Sequence, residues 1–186
     1  EKLFELLLTN EQIKHILTVL RKYQIPMVLE GPNYIYVDEK DFKDDPYVIY
    51  LRNELGENLK SITGIAQYEV NKLSAELGNA DVKLVRKELG TEFDMIVHEP
   101  DGILEIGQAG HSKASGIERL CAFLGIAKED TYAFGDSAND VEMLEFVAHG
   151  IAMGNGTDVA KNAAEFITTD IHKDGIWNGL KHYGLI

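Results

Sequence analysis

The 186-residue sequence holds one cysteine, Cys121, and one tryptophan, Trp177. A lone thiol cannot close a disulfide within the chain, so stability has to come from a packed core. No run of about 18 apolar residues is present, which excludes an α-helical membrane span, and no stretch has the make-up of a signal peptide; the expected location is the cytoplasm. Basic residues are also few, 18 Lys and Arg against 31 Asp and Glu, for a net charge of -13. A surface of that sign repels phosphate backbones and anionic lipid, so neither nucleic acid nor membrane is expected as a partner, whereas a small anion bridged by a cation is compatible. His15, His98, His149, His172 and His182 are scattered without metal-ligand spacing, which argues against a zinc site, and His111, two residues before Lys113, is expected to be an exposed loop residue with no acid/base role.

What is present suits a folded protein: hydrophobic residues make up 45% and charged residues 26%, and no repeat or low-complexity segment interrupts them. Thr9-Asn10-Glu11-Gln12 has the form of a capping box, and Ile13, Ile16, Leu17 and Leu20 recur on one face of the helix it opens. Pro26 ends that helix. Met27 to Glu30 and Tyr34 to Val37 are expected as an antiparallel hairpin around Gly31-Pro32-Asn33. Tyr47 to Leu55 is expected as a short helix ended by Gly56, and Ser61 to Tyr68 as a strand. Glu69 to Leu77 reads as a helix from the spacing of Val70, Leu73 and Leu77, with Gly78-Asn79 as its stop. Val82 to Arg86, Phe93 to Val97 and Gly102 to Ile106 read as three strands. From Ser112 the pattern changes to regular alternation: helix to Leu124, strand to Phe134, helix to Val147, strand Gly150 to Met153, helix Thr157 to Ala164, a last strand at Phe166 to Thr168, and a closing helix from Ile176 in which Trp177 and Leu180 pack on the core. Cys121 falls with Ile117, Leu120 and Leu124 on an apolar stripe and is expected in the core. Grouped strands followed by alternating ones predict two domains, an α+β part over 1–107, with two helices on one face of its sheet, and a parallel α/β part over 108–186.

Thr131-Tyr132-Ala133-Phe134-Gly135-Asp136-Ser137-Ala138-Asn139-Asp140 is an apolar run that stops at a glycine and then presents two carboxylates and a carboxamide within five residues. Strand, turn and helix follow from that order, and ligands bind at the carboxyl ends of strands in open α/β sheets. Two carboxylates there suit Mg²⁺, which takes a few carboxylate oxygens plus water and phosphate. Taken alone, Asp136, Ser137 and Asn139 are explained equally by a turn that caps the next helix.

A second segment, Gly110-His111-Ser112-Lys113-Ala114-Ser115-Gly116-Ile117-Glu118-Arg119-Leu120, changes that balance. With Gly135-Asp136-Ser137-Ala138-Asn139-Asp140 and Gly150-Ile151-Ala152-Met153-Gly154-Asn155-Gly156, it resembles the haloacid dehalogenase-like (HAD) phosphohydrolases, and most of all their Cof-type branch. The resemblance implies a partial HAD-like Rossmannoid parallel core over 108–186 and an α+β cap over 1–107. It implies a Mg²⁺-dependent phosphatase of small phosphorylated metabolites that works through a phospho-aspartyl intermediate. Lys113 would hold the substrate phosphate, Asp136 and Asp140 would serve the metal, with Asp140 also fixing Lys113, and Asn139 would donate to the phosphate. The family's nucleophile lies on an Asp-x-Asp strand that these residues do not contain; Asp38-Glu39-Lys40 has a lysine where the second aspartate belongs. The sequence is therefore expected to be the C-terminal portion of a longer protein that lacks the first half of its core. A phosphomutase, a P-type ATPase domain and a binding or regulatory remnant without turnover are the competing expectations.

Overall fold

The computed structural model describes residues 4–38, 42–62, 68–98 and 101–186. They form two compact units, Glu1–Ala109 and Gly110–Ile186. The α/β class read from the sequence is the class of the chain.

In the first unit, the Thr9 hydroxyl accepts the Gln12 amide and Gln12 Oε1 accepts the Thr9 amide at 2.9 Å, opening α1 (Asn10–Lys22). The capping box satisfies two amides that a helix start leaves without partners. β1 (Met27–Glu30) and β2 (Ile35–Val37) pair antiparallel with Leu29 opposite Tyr36, and the Gly31 amide closes the hairpin on the Tyr34 carbonyl. With β3 (Leu59–Ser61), β4 (Lys72–Glu76), β5 (Phe93–His98) and β6 (Ile103–Gln108) they make a six-stranded sheet of order β3-β2-β1-β4-β6-β5, antiparallel except between β2 and β3. Side chains alternate across each strand. Met27, Leu29, Leu73, Ala75, Leu104 and Ile106 therefore share one buried core with α1 and with α3 (Val82–Leu89). Val28 and Val37 point the other way and pack on Val48 of α2 (Pro46–Leu55), so a helix covers the second face too, where two helices on a single face were expected. The rest of that second face carries an ion-pair ladder in which Lys72 stands 3.1 Å from Glu105 and 3.5 Å from Glu30.

Two element assignments are also overturned in this unit. Residues 69–77 contain a strand, not a helix: β4 pairs with β1 and β6 on both sides, and every second residue, Leu73, Ala75 and Leu77, enters the apolar core. Val70, Leu73 and Leu77 mimic helical spacing, but a central slot in a sheet overrides such a local signal. Val82 to Arg86 is helical, not a strand. Asp81 caps α3 by accepting the Lys83 amide at 2.8 Å, and Val85 and Leu89 are buried on one side before Gly90 ends the helix at φ +79°. The strand expected over 61–68 falls mainly on residues outside those described, as do Glu39 and Lys40. Asp38, just past β2, is buried and paired with Arg21 at 2.5 Å.

The second unit alternates as expected: α4 (Lys113–Leu124), β7 (Tyr132–Gly135), α5 (Val141–Phe146), β8 (His149–Ala152), α6 (Asp158–Ala163), β9 (Phe166–Ile167) and α7 (Gly175–His182). The strands run parallel in the order β7-β8-β9, with Phe134 opposite Ile151 and Ile151 opposite Phe166. α5 lies over the face of Gly135 and Gly150, where a Cβ on Gly150 would sit 2.2 Å from the Leu144 carbonyl oxygen. α7 lies over the face of Phe134 and Ile151.

Here too two expectations fail. Trp177 is about half exposed. α7 meets the sheet through glycine instead: a Cβ on Gly179 would lie 2.5 Å from the Phe134 ring, so the helix approaches narrow side down and its bulky residues turn outward. Leu180 is half-buried. α4 buries no residue, Cys121 is half-buried, and Leu120, Phe123 and Leu124 are exposed. The three described strands place β7 at the sheet edge, so no neighbouring strand lies beneath that stripe.

Candidate functional site

The carboxyl ends of β7 and β8 gather the residues singled out in the sequence. Lys113 is brought there by α4, whose start is fixed by a reciprocal pair: Ser115 Oγ accepts the Ser112 amide at 3.0 Å, and Ser112 Oγ accepts the Ser115 amide at 3.4 Å. As the first helical residue, Lys113 extends its side chain to the loop that follows β7. Its Nζ donates to Asp140 Oδ1 at 2.5 Å and reaches Asn139 Oδ1 at 3.5 Å.

Asp140 is almost fully buried. Its Oδ2 accepts the amides of Asp136 at 2.9 Å and Ser137 at 3.2 Å, so both of its oxygens are engaged by donors of the protein. Burial opposes its ionisation, but the Lys113 hydrogen bond, the two amides and the charge of Lys113 outweigh it and hold the carboxyl below its ordinary 3.8. Room for Asp140 comes from Gly135. Gly135 is an extended β7 residue outside the left-handed region, and its lack of a side chain serves close approach, since a Cβ would lie 2.6 Å from Asp140 Cβ.

Asn139 Oδ1 accepts from Ser137 Oγ at 2.8 Å as well as facing Lys113, which orients the carboxamide and leaves its Nδ2 donor uncommitted. Asp136 is exposed at the end of β7, and its carboxylate makes no hydrogen bond to another described residue. Its backbone carbonyl, in contrast, accepts the Thr157 amide at 2.8 Å and the Thr157 hydroxyl at 3.2 Å.

Asn155 and Thr157 belong to the loop between β8 and α6, and neither caps that helix through its side chain. Asn155 Oδ1 accepts the Ile171 amide at 2.9 Å, and Thr157 occupies the N-cap position of α6 without making a side-chain cap bond. The contribution of Thr157 to this loop was therefore missed. Its only trace in the sequence is a threonine after the Gly154-Asn155-Gly156 turn, and that pattern also fits an ordinary cap.

The donor set is hard oxygen: one uncommitted carboxylate, beside a carboxylate already saturated by a cation and two amides. Among the described residues no three His, Cys, Asp or Glu side chains converge to form a closed metal cage. A single free carboxylate fits Mg²⁺, which keeps most of its water and binds through one or two carboxylates plus phosphate oxygens. Lys113 and the free Asn139 amide add donors for an anion at the same place.

A sequence profile of haloacid dehalogenase-like hydrolases matches residues 1–180. The 5-amino-6-(5-phospho-D-ribitylamino)uracil phosphatase YitU of Bacillus subtilis is 36% identical over 138 residues, 72% of this chain and 47% of that protein. The phosphoglycolate phosphatase of Halobacterium salinarum is 29% identical over 191 aligned positions, covering 86% of this chain and 84% of that protein. The chain spans about half the length of the B. subtilis relatives it matches. Among solved structures, BT1666 from Bacteroides thetaiotaomicron, described among phosphatases of the HAD superfamily, superposes with a TM-score of 0.80. That match covers 99% of this chain and 68% of the other at 20% identity, and so speaks to the fold alone.

Proposed function

The chain belongs to the haloacid dehalogenase-like hydrolases, and from that premise we propose that it is of the Cof type and carries the phosphate-holding and metal-binding half of a Mg²⁺-dependent phosphatase site for small phosphorylated metabolites. The observation that carries this reading is the division of labour between two carboxylates four residues apart: Asp140 is spent on Lys113 and two amides, while Asp136 is left free at the strand end. Asp136 would hold Mg²⁺, and Asp140 would act through Lys113 and the loop rather than as a direct ligand. The metal, when bound, neutralises charge on the phosphoryl oxygens.

Phosphoryl transfer depends mainly on positioning and charge neutralisation. Lys113 meets the second need with an ammonium kept in place by an ionised partner, and Asn139 offers Nδ2 as an uncharged donor to a phosphate oxygen. A chain of net charge -13 needs such a local cation to receive an anion at all. The nucleophile of the phospho-aspartyl step is not among these 186 residues, which contain no Asp-x-Asp sequence. The proposal therefore assigns it, and the leaving-group acid, to residues outside this sequence. Residues 1–107 take the part of the cap that selects the substrate. The exposed apolar stripe of α4 and the edge position of β7 support a continuation of the parallel core there.

Hydrolysis of p-nitrophenyl phosphate tests the reading. The 186-residue chain should give no turnover, and a protein that adds the Asp-x-Asp strand should hydrolyse the ester with Mg²⁺ and lose activity in EDTA. Turnover by the chain itself, freed of contaminating phosphatase, would show that the nucleophile lies within it.

A further inference from the structure

We infer that Thr157 is a positioning residue for Asp136, setting the direction of the metal-binding carboxylate through the backbone; the inference rests on the reading of Asp136 as a metal ligand. A threonine at a helix N-cap ordinarily turns its side-chain oxygen to accept an amide of the first turn. Thr157 does not. It stands at the N-cap of α6 with extended backbone, φ -68° and ψ 156°, makes no side-chain cap bond, and donates its hydroxyl to the Asp136 carbonyl at 3.2 Å. The same carbonyl accepts the Thr157 amide at 2.8 Å, so one residue of the β8–α6 loop grips the Asp136 peptide with two donors.

The grip is close because of Gly156. A Cβ there would lie 2.9 Å from the Asp136 carbonyl oxygen and 3.0 Å from Asp136 Cα, so only glycine lets the two loops touch along their backbones. The gripping loop is anchored behind: the Gly154 amide donates to the Thr169 carbonyl at 3.1 Å, and Asn155 Oδ1 accepts the Ile171 amide at 2.9 Å. On its other side the Asp136 amide is held by Asp140 Oδ2 at 2.9 Å. Both peptide groups of Asp136 are thus fixed, one by Asp140 and one by Thr157, while the carboxylate between them stays free. This is the arrangement that points a ligand group without consuming it.

The test is a Mg²⁺ titration of the isotopically labelled protein that carries this chain together with an Asp-x-Asp strand, followed through the amide and carbonyl resonances of Gly135 to Asp140. Thr157→Val keeps the branched shape and removes the hydroxyl; Thr157→Ser keeps the hydroxyl. The unsubstituted protein should show saturating shifts that Asp136→Asn abolishes. Thr157→Val should raise the apparent Kd about fivefold, the ratio expected for one neutral hydrogen bond, and should move the Asp136 carbonyl resonance before Mg²⁺ is added. Thr157→Ser should bind within about twofold of the unsubstituted protein, given that its hydroxyl is retained. An unchanged Kd in Thr157→Val, with Asp136→Asn still abolishing the response, overturns the role of Thr157 and leaves the metal ligand standing. A Thr157→Ser variant as weak as Thr157→Val, or a Thr157→Val variant that loses signal dispersion throughout residues 110–186, also overturns it. If Mg²⁺ moves none of these resonances in the unsubstituted protein, the metal reading falls and this inference falls with it.

Discussion

Lys113 Nζ stands 2.5 Å from Asp140 Oδ1, tying the first turn of α4 to the end of β7 across 27 positions of sequence. The two partners do not depend on the bond equally. Asp140 is nearly fully buried and also serves two amides, whereas the Lys113 side chain is half exposed. Asp140→Ala leaves three donors without an acceptor and should cost about 2–4 kcal/mol in urea unfolding. Lys113→Ala removes one donor that water replaces on its exposed side and should cost about 1 kcal/mol or less. Equal costs would show that the carboxylate is not the organising member.

The protonation of Asp140 gives a second expectation. Its folded carboxyl is held below 3.8 against burial, by Lys113 first among the opposing partners and then by the amides of Asp136 and Ser137. A depressed carboxyl contributes stability that is fully present above its unfolded value and is lost as pH falls through the folded one. The site should therefore keep its geometry from neutral pH down to about 4 and come apart only below 3.8. The side-chain carboxyl carbon resonance of Asp140 reports this directly. A midpoint above 3.8 would mean that burial, and not the donors, governs the group.

Gly135 is required for contact and not for conformation. Gly135→Ala places a methyl 2.6 Å from Asp140 Cβ and 3.1 Å from Leu144 Cδ1. Asp140 would have to withdraw from the amides it holds. The expected cost is about 1–3 kcal/mol, with loss of the Asp136 and Ser137 amide protection in hydrogen exchange. Full stability together with unchanged protection would contradict the packing argument.

Much of the second unit was legible because its signals are local. Phe134-Gly135-Asp136 ends a strand, Ser112-Lys113 opens a helix, and the parallel pairing of Phe134 with Ile151 follows from their alternation with helices. Residue type and spacing point to Asp136, Asn139 and Asp140, the family resemblance adds Lys113 and the roles of all four, and the fold brings them together. What could not be read was set by approach in three dimensions. β4 and α3 exchanged identities because Val70, Leu73 and Leu77 satisfy a helical period, although the chain uses them within a central strand register; for Val82 and Val85 the Asp81 cap decided against β propensity. The hydroxyl of Thr157 on Asp136 and the void that Gly135 leaves for Asp140 depend on the distance between residues 21 positions apart and on a side chain folding back over its own strand.

The most direct measurement compares Asp136→Ala with Lys113→Ala for Mg²⁺ activation of p-nitrophenyl phosphate hydrolysis, in the protein that carries this chain together with an Asp-x-Asp strand. Asp136→Ala removes a metal ligand and should raise the Mg²⁺ midpoint steeply while lowering kcat. Lys113→Ala removes a charge aimed at the phosphate and should lower kcat/KM by about 10²-fold or more, with the Mg²⁺ midpoint little changed. Equal shifts in Mg²⁺ dependence for the two variants, or near-normal activity of Asp136→Ala at limiting Mg²⁺, would contradict the assignment of Asp136 to the metal and Lys113 to the phosphate.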